Sequence, residues 1–566
     1  MKNKALTTVY AEEMDRKCPW NEYPRPNMKR DSFFCLNGEW DFAFSENEPE
    51  EYFKKILVPF PPESLLSGIE SNHNENEKLY YRCKFTLPGN FIRKRVILHF
   101  GAVDQIAEVI LNGINVGRHE GGYTPFSFDI TDFIFDCENE LRVVCTDNLD
   151  LKYPYGKQKK NRGGMWYTPV SGIWQTVWIE SIPELAIEDI TVTPSTSEAR
   201  IEVKSKAERL KLTLEDSGEF FESENGIFVI EPKNPKLWTP ETPYLYRFTV
   251  ESAQDKVESY FALREIGTEA NAGVTRLTLN GKPYLFHGLL DQGYFPDGIF
   301  LPATVRGYEC DIKAAKALGF NMLRKHIKIE PPVFYYLCDK LGMVVFQDMV
   351  NNSDYSFIRD TALPTVGLKK LPDKKLHRNP ESRRIFRDTM KKTIKLLYNN
   401  PSVLYYTIFN EGWGQFTADE VYKDAKILDS TRIFDATSGW FWQKESDVDS
   451  HHVYFKKLKV KINPGRPCVI SEFGGYSYRC EGHLFGEENY GYKSFNTRDE
   501  FEKSIVKLYE NEVIPLVKKG VSALVYTQLS DIEDETNGFL TYDRKVIKAD
   551  FETLLNLSTK LKDALK

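Results

Sequence analysis

The sequence predicts a multidomain β plus α/β chain: a β-sandwich over residues 1–182, an immunoglobulin-like β-sandwich over 183–265, and a (β/α)8 barrel over 266–566. Three observations carry this reading. Short strands with turn signals recur through the first third. About eighty residues of the same pattern follow without a chemistry-bearing cluster. Over roughly the last three hundred residues, apolar strand candidates alternate with helical patterns.

Composition sets the frame. A length of 566 residues suits roughly three or four domains. The net charge of −7 gives no electrostatic footprint for nucleic acid. Met1 to Glu13 lack the apolar core of an export signal, and no run of about 18 apolar residues could cross a membrane. The nine cysteines are scattered, odd in number and without a Cys-x-x-Cys pair. The expectation is a cytoplasmic protein with reduced thiols and no nucleic-acid or membrane partner. A homo-oligomer is compatible with it.

The first block opens with a half-buried strand, in which Tyr81, Cys83, Phe85 and Leu87 alternate with Arg82, Lys84 and Thr86. Asn112-Gly113 between apolar runs marks a hairpin, because both residues tolerate positive φ. Phe126 to Ile130 and Leu141 to Cys145 add strands. From Asp147 to Gly164 the pattern lapses into a polar, glycine-rich loop, and it resumes at Gly172 to Glu180. A loop that long, with Trp166 and Tyr167 within it, is expected to be functional. Ile187 to Val192, Ala199 to Val203, Leu210 to Leu214 and Tyr246 to Val250 form the second block, read as a spacer.

Asn280-Gly281 makes another hairpin. Barrel strands are then expected at 284–287, 321–324, 344–347, 403–409, 432–435, 447–453, 468–471 and 522–527. The clearest helix starts at the Asn379-Pro380 cap. The fourth strand is a continuous apolar run ending in Asn410-Glu411-Gly412-Trp413-Gly414, the look of a strand buried on both faces. Barrel enzymes do chemistry at the C-terminal strand ends. Those ends carry His287, Arg324, His326, Asp348, Glu411, Asp435, His451, His452, Tyr454, Glu472 and Gln528. Two facing glutamates, Glu411 and Glu472, suit glycoside hydrolysis, which needs a proton donor and an ionised nucleophile. The bland alternative is a pair of surface glutamates at helix starts.

Asn410-Glu411 and Ser471-Glu472-Phe473-Gly474-Gly475 resemble the two catalytic signatures of glycoside hydrolase family 2, which holds β-galactosidases, β-glucuronidases and β-mannosidases. Gly172 to Trp178, Asn280 to Pro283 with His287-Gly288, Gly319 to Arg324, and Asp339 to Asp348 resemble further family segments. The resemblance implies an N-terminal jelly roll, an immunoglobulin-like domain and a catalytic barrel. It implies Glu411 as acid/base and Glu472 as nucleophile of a retaining hydrolase. Asn410 would hold the sugar 2-hydroxyl, and Arg324 and Tyr454 would hold Glu472 ionised. Trp413 or Trp440 would stack on a sugar face or else pack in the core. His287, Asp291, His326, His452 and Gln528 complete the substrate-binding candidates. The loop of residues 153–168 is expected to wall the sugar site, with Lys157, Gln158 or Trp166 near the substrate.

Departures from the family pattern bear on the sugar. No Asn-x-Lys clamp for a uronate follows Glu472, and the segments after the first two barrel strands differ from the usual ones. The favoured reading is therefore a β-galactosidase. The alternatives are another specificity in the family (β-glucuronidase, β-mannosidase, β-glucosaminidase or arabinosidase) and an inactive carbohydrate-binding protein. Adjacent strand residues His451 and His452 would point to opposite faces, so they would not share a metal. The chemistry needs no cofactor; a structural ion is neither implied nor excluded.

Overall fold

A computed structural model describes residues 6–271 and 273–565. The first unit packs two antiparallel sheets face to face. One has the strand order Phe34–Cys35, Val177–Ile182, Arg95–Phe100, Phe126–Asp129; the other runs Lys54–Val58, Gly38–Ser45, Lys78–Phe85, Asn139–Thr146, Ile106–Leu111, Ile114–Glu120. Alternate residues of Asn139–Thr146 are buried, and they meet Trp40, Phe42, Leu98 and Phe100 in one core. Asn112 and Gly113 take φ of 51° and 82°, the turn their side chains allow. The second unit is a smaller sandwich. A three-stranded sheet (Ile187–Pro194, Ala199–Ser205, Ile227–Ile230) faces a four-stranded one (Phe220–Ser223, Leu210–Leu214, Tyr246–Glu251, Lys256–Phe261).

Eight parallel strands build the third unit: β1 Phe286–Asp291, β2 Met322–Lys325, β3 Val344–Asp348, β4 Val403–Asn410, β5 Ile433–Ser438, β6 Asp449–Val453, β7 Cys468–Gly474 and β8 Val521–Thr527. They hydrogen-bond in the order β5-β4-β3-β2-β1-β8-β7-β6. The β5–β6 seam is bridged by side chains: the Ser450 hydroxyl donates to Asp435 Oδ1 at 3.0 Å, and Phe434 N–H donates to Asp447 Oδ2 at 2.8 Å. The interior holds Phe286, Leu290, Met322, Val344, Phe346, Tyr405, Val469 and Val525. Leu277 and Leu279, from the Ile266–Asn271/Val274–Leu279 hairpin, join the same cluster. The helix Pro380–Leu397 starts where expected, with the Asn379 side chain accepting from Glu381 and Ser382 N–H.

The fold class expected from sequence is the one observed. The first barrel strand differs: it runs Phe286–Asp291, not 284–287. The buried run Leu289-Leu290 belongs to the strand, and its true end lies four residues beyond His287. Among the described residues, no helix is long and apolar enough to cross a membrane, and all nine cysteines are free thiols.

Inside the barrel, Phe346 stacks on Tyr405 with ring centroids 4.1 Å apart and planes 7° from parallel. Close-packed interiors collapse poorly around a deleted ring, so Phe346→Ala should destabilise the barrel by about 3–5 kcal/mol. Urea denaturation followed by tryptophan fluorescence would measure it. An unmoved midpoint would show that this layer is not packed as described.

Candidate active site

Two local features aim the Glu411 side chain. β4 ends at Asn410, and Glu411 then turns into the left-handed region with φ 52°, followed by Gly412 at 77° and Gly414 at 65°. A Cβ on Gly412 would lie 2.3 Å from the Phe441 ring, and one on Gly414 2.4 Å from the Asn352 carbonyl oxygen. Only glycine fits this turn. The Glu411 backbone is held at both ends: its N–H donates to Ser438 O at 2.9 Å, and its carbonyl accepts from Trp440 Nε1 at 3.0 Å. Glu472 lies within β7.

Glu472 and Asp348 meet over one buried cation. Arg324, 1% exposed, donates through Nε to Asp348 Oδ1 at 2.9 Å, through Nη1 to Glu472 Oε1 at 3.0 Å and Ser471 O at 2.9 Å, and through Nη2 to Asn410 Oδ1 at 2.8 Å. Tyr454 donates its hydroxyl to Glu472 Oε2 at 2.8 Å. His452 Nδ1 lies 2.7 Å from Glu411 Oε1 and 3.4 Å from Glu472 Oε2. Arg324 Nη1 points at His452 Nε2 from 3.4 Å. The Ser438 hydroxyl lies 3.1 Å from the same Nε2, so Nε2 is held on the far side of the ring and Nδ1 is the nitrogen that faces both carboxyls.

Burial pushes Glu411 up to about 7, against the pull of Lys157, Arg324 and Lys369. Glu472 is also raised by burial, and then by the Glu411 charge, but His452, Arg324 and the Tyr454 hydroxyl oppose this. The hydrogen bonds divide the pair: Glu472 has a guanidinium and a phenol as donors, whereas Glu411 has only the imidazole. These partners favour the charged form more strongly at Glu472 than at Glu411. Burial, foremost, depresses His452 and His326 to about 3, so both rings are neutral. Nδ1 of His326 faces Asp348 Oδ2 at 2.8 Å. The facing atoms of Glu411, His452 and Glu472 lie within 4.8 Å of one another, the single metal-compatible trio among the described residues. A dication there would sit beside the Arg324 guanidinium, which already neutralises Glu472.

The loop of residues 153–168 reaches this face. Tyr155 N–H donates to Asn351 O at 3.0 Å and its hydroxyl to Ser353 O at 2.9 Å. Trp166 stacks on Trp413 at 5.3 Å between centroids, and Lys157 Nζ stands 5.1 Å from the Trp413 ring. Gln158 instead turns back to Asp104 and Tyr123, anchoring the loop. Trp413 is 1% exposed, enclosed by Trp166 and Tyr355, and has no open face for a sugar. Trp440 packs against His452 and under Lys369. Gln528 lies at the β8 end with Nε2 2.8 Å from Asn537 Oδ1.

Two expected site residues lie elsewhere. His287 is on the outer face of β1, against Phe320 and 3.0 Å from the Tyr509 hydroxyl. Asp291 points outward too, binding Lys325 Nζ at 2.6 Å. Alternation explains both: Leu290 faces the barrel interior, so residues 287 and 291 cannot. His451 likewise faces Trp442, away from His452. The sequence reading missed Lys369 and Glu535. Glu535 is 3% exposed and accepts from the Tyr167 hydroxyl. In the sequence, the acidic run after β8, Glu533-Asp534-Glu535, reads as solvated surface.

Family models match most of the chain: glycosyl hydrolases family 2, sugar binding domain, over residues 65–183; glycosyl hydrolases family 2 over 184–264; and the family 2 TIM barrel domain over 273–550. A β-galactosidase of Thermoanaerobacter pseudethanolicus is 25% identical over 487 residues, covering 79% of this chain and 60% of that protein. A β-glucuronidase of Streptococcus agalactiae is 23% identical over 428 residues, covering 69% and 68%. The chain spans 60% and 49% of the length of the Thermoanaerobacter β-galactosidase and of one from Alteromonas mediterranea. The fold superposes on a β-D-glucuronidase of Dictyoglomus thermophilum with a TM-score of 0.74 at 18% identity, over 95% of this chain and 98% of that one.

The electrostatics can be read directly by carboxyl-carbon NMR titration. Glu411 should titrate at about 7. Lys157→Met removes a cation that favours the carboxylate, so the apparent value should rise further. Titration of Glu411 in the ordinary range near about 4, unmoved by the substitution, would contradict this electrostatic picture.

Proposed function

The chain belongs to glycoside hydrolase family 2, and from that premise we propose that it is a retaining exo-β-glycosidase. The observation that carries the reading is the unequal treatment of two facing carboxyls. Glu472, held ionised by Arg324 and Tyr454, attacks the anomeric carbon. Glu411 gives its proton to the glycosidic oxygen, which leaves with the aglycone. The glycosyl-enzyme ester is then hydrolysed by a water whose proton passes to Glu411, and Glu472 departs as carboxylate. Approach within 4.8 Å suits the separation of about 5–5.5 Å at which one carboxylate attacks directly; inversion needs about 6.5–9.5 Å to admit a water.

Asn410 has a defined part. Its carbonyl oxygen is taken by Arg324, so its amide N–H groups are left to donate to the sugar 2-hydroxyl, a contact that strengthens as the oxocarbenium ion forms. A non-hydrolytic carbohydrate-binding protein would not need this division of proton and charge.

The sugar we favour is a neutral hexose, with β-galactoside first, because no Asn-x-Lys clamp follows Glu472. One observation favours a β-glucuronide instead: the buried Lys157 ammonium beside the pair. The free thiols go with a cytoplasmic location.

A panel of nitrophenyl glycosides tests the class, with NMR of the first-formed anomer testing retention. Turnover of α-glycosides alone, or an inverted first product, would overturn the reading. Glu411→Ala should slow glycosylation by about 10²–10⁴-fold for poor leaving groups and much less for nitrophenolates, which need little proton donation. Equal losses for both would remove Glu411 as the acid.

A further inference from the structure

Glu472 is held by a chain of side chains that leads away from the reaction. Its Oε1 accepts from Arg324 and its Oε2 from the Tyr454 hydroxyl. The charged and titratable groups facing it are Arg324 from β2, His452 from β6, Tyr454 just after β6 and Glu411 just after β4. The Tyr454 hydroxyl also lies 2.6 Å from Thr527 Oγ1. Thr527 is the last residue of β8, buried, and it pairs with Gly474 of β7. Val525 faces the barrel interior, so alternation turns Thr527 the same way, into the mouth.

The proton count fixes the direction of both bonds. A phenol has one proton, and an ionised carboxylate can only accept. Both short contacts are satisfied only when Tyr454 gives its proton to Glu472 and Thr527 gives its own to Tyr454. Among the described residues, the Thr527 hydroxyl has no other hydrogen-bond partner. Burial, and then the Glu472 charge, pushes the Tyr454 phenol well above its usual range, so it stays a donor. A donor that itself receives a hydrogen bond is polarised and donates more strongly.

The plane of the phenol is set by a second contact. Tyr492 stacks on Tyr454 with centroids 3.8 Å apart and planes 5° from parallel, and Phe455 meets Tyr492 edge-on at 4.9 Å. Tyr492 N–H donates to Gly475 O at 3.1 Å. Gly475 has φ 68°, and a Cβ there would lie 2.2 Å from the Tyr492 ring. A glycine just after β7 is thus what lets Tyr492 come in. With a ring on its face and a hydroxyl at its oxygen, the phenol has lost its freedom to swing away from Glu472.

We infer that Thr527 and Tyr492 are positioning residues for the nucleophile and act through Tyr454: Thr527 directs the phenol proton onto Glu472, and Tyr492 holds the phenol ring in place. This rests on the retaining-hydrolase reading above and adds to it how Glu472 is kept ionised.

The test is the pH profile of kcat/KM on the preferred nitrophenyl β-glycoside. Its acidic limb reports ionisation of the nucleophile in the free enzyme. Loss of a donor raises the proton affinity of Glu472, so this limb moves to higher pH, while the alkaline limb, set by Glu411, stays. Thr527→Val should move the acidic limb up by about 0.5–1 pH unit and lower kcat/KM at the optimum about 5–10-fold. Thr527→Ser keeps the hydroxyl and should restore both. In a Tyr454→Phe background, Thr527→Val should cost less than about 2-fold, because its partner is already gone. Tyr492→Leu should move the same limb in the same direction, and Tyr492→Phe, which keeps the ring, should restore it. If the thermal midpoint shows that Thr527→Val does not fold, Thr527→Ala takes its place. An acidic limb unmoved by the Thr527 substitution, or a loss as large in Tyr454→Phe as in the native background, would overturn the role of Thr527. A limb unmoved by Tyr492→Leu would overturn that of Tyr492. Both results leave the hydrolase reading intact. Wild type that hydrolyses no glycoside would instead overturn that reading, and this inference with it.

Discussion

The arrangement depends on the Arg324 guanidinium. It is buried where Asp348, Asn410 and Glu472 converge, and each of its three nitrogens is committed. Two buried carboxylates are tolerable there because this cation lies between them. Removing it would leave both without a counter-charge, a loss of the order of 3–5 kcal/mol for a broken buried pair. The same group takes the Asn410 carbonyl oxygen, which leaves the amide N–H groups free, and it approaches His452 Nε2. Charge and orientation thus follow from one side chain at the end of β2.

A second constraint is that the site does not belong to the barrel alone. The sandwich loop enters through Tyr155, Trp166 and Arg162, which bind barrel backbone, a barrel tryptophan and the acids after β8. Lys157, carried on that loop, is the foremost charge opposing the rise of Glu411. The proton affinity of a barrel carboxyl is therefore set partly by how the two domains dock.

Much of this was legible in the sequence, for physical reasons that also mark the limit. Glu411 and Glu472 could be found because a barrel maps strand ends onto one face, and both runs end in residues unsuited to a core. His287 and Asp291 were misplaced because the strand start was put two residues early and the inward–outward alternation was not applied to its end. Lys157 could be found because an aromatic, glycine-rich loop is a poor linker. Glu535 could not, since an acidic run after a strand reads as solvated surface. Its burial depends on Tyr167, 368 residues earlier in the chain.

The most direct measurement of the central claim, that the anion is Glu472 and the proton is on Glu411, is covalent trapping. A 2-deoxy-2-fluoro glycosyl fluoride of the preferred sugar slows turnover of the glycosyl-enzyme and leaves the sugar on the nucleophile, and peptide mass spectrometry locates it. The account expects a single label on Glu472. A label on Glu411, or inactivation of no residue by a compound that the enzyme binds and hydrolyses with inversion, would contradict it.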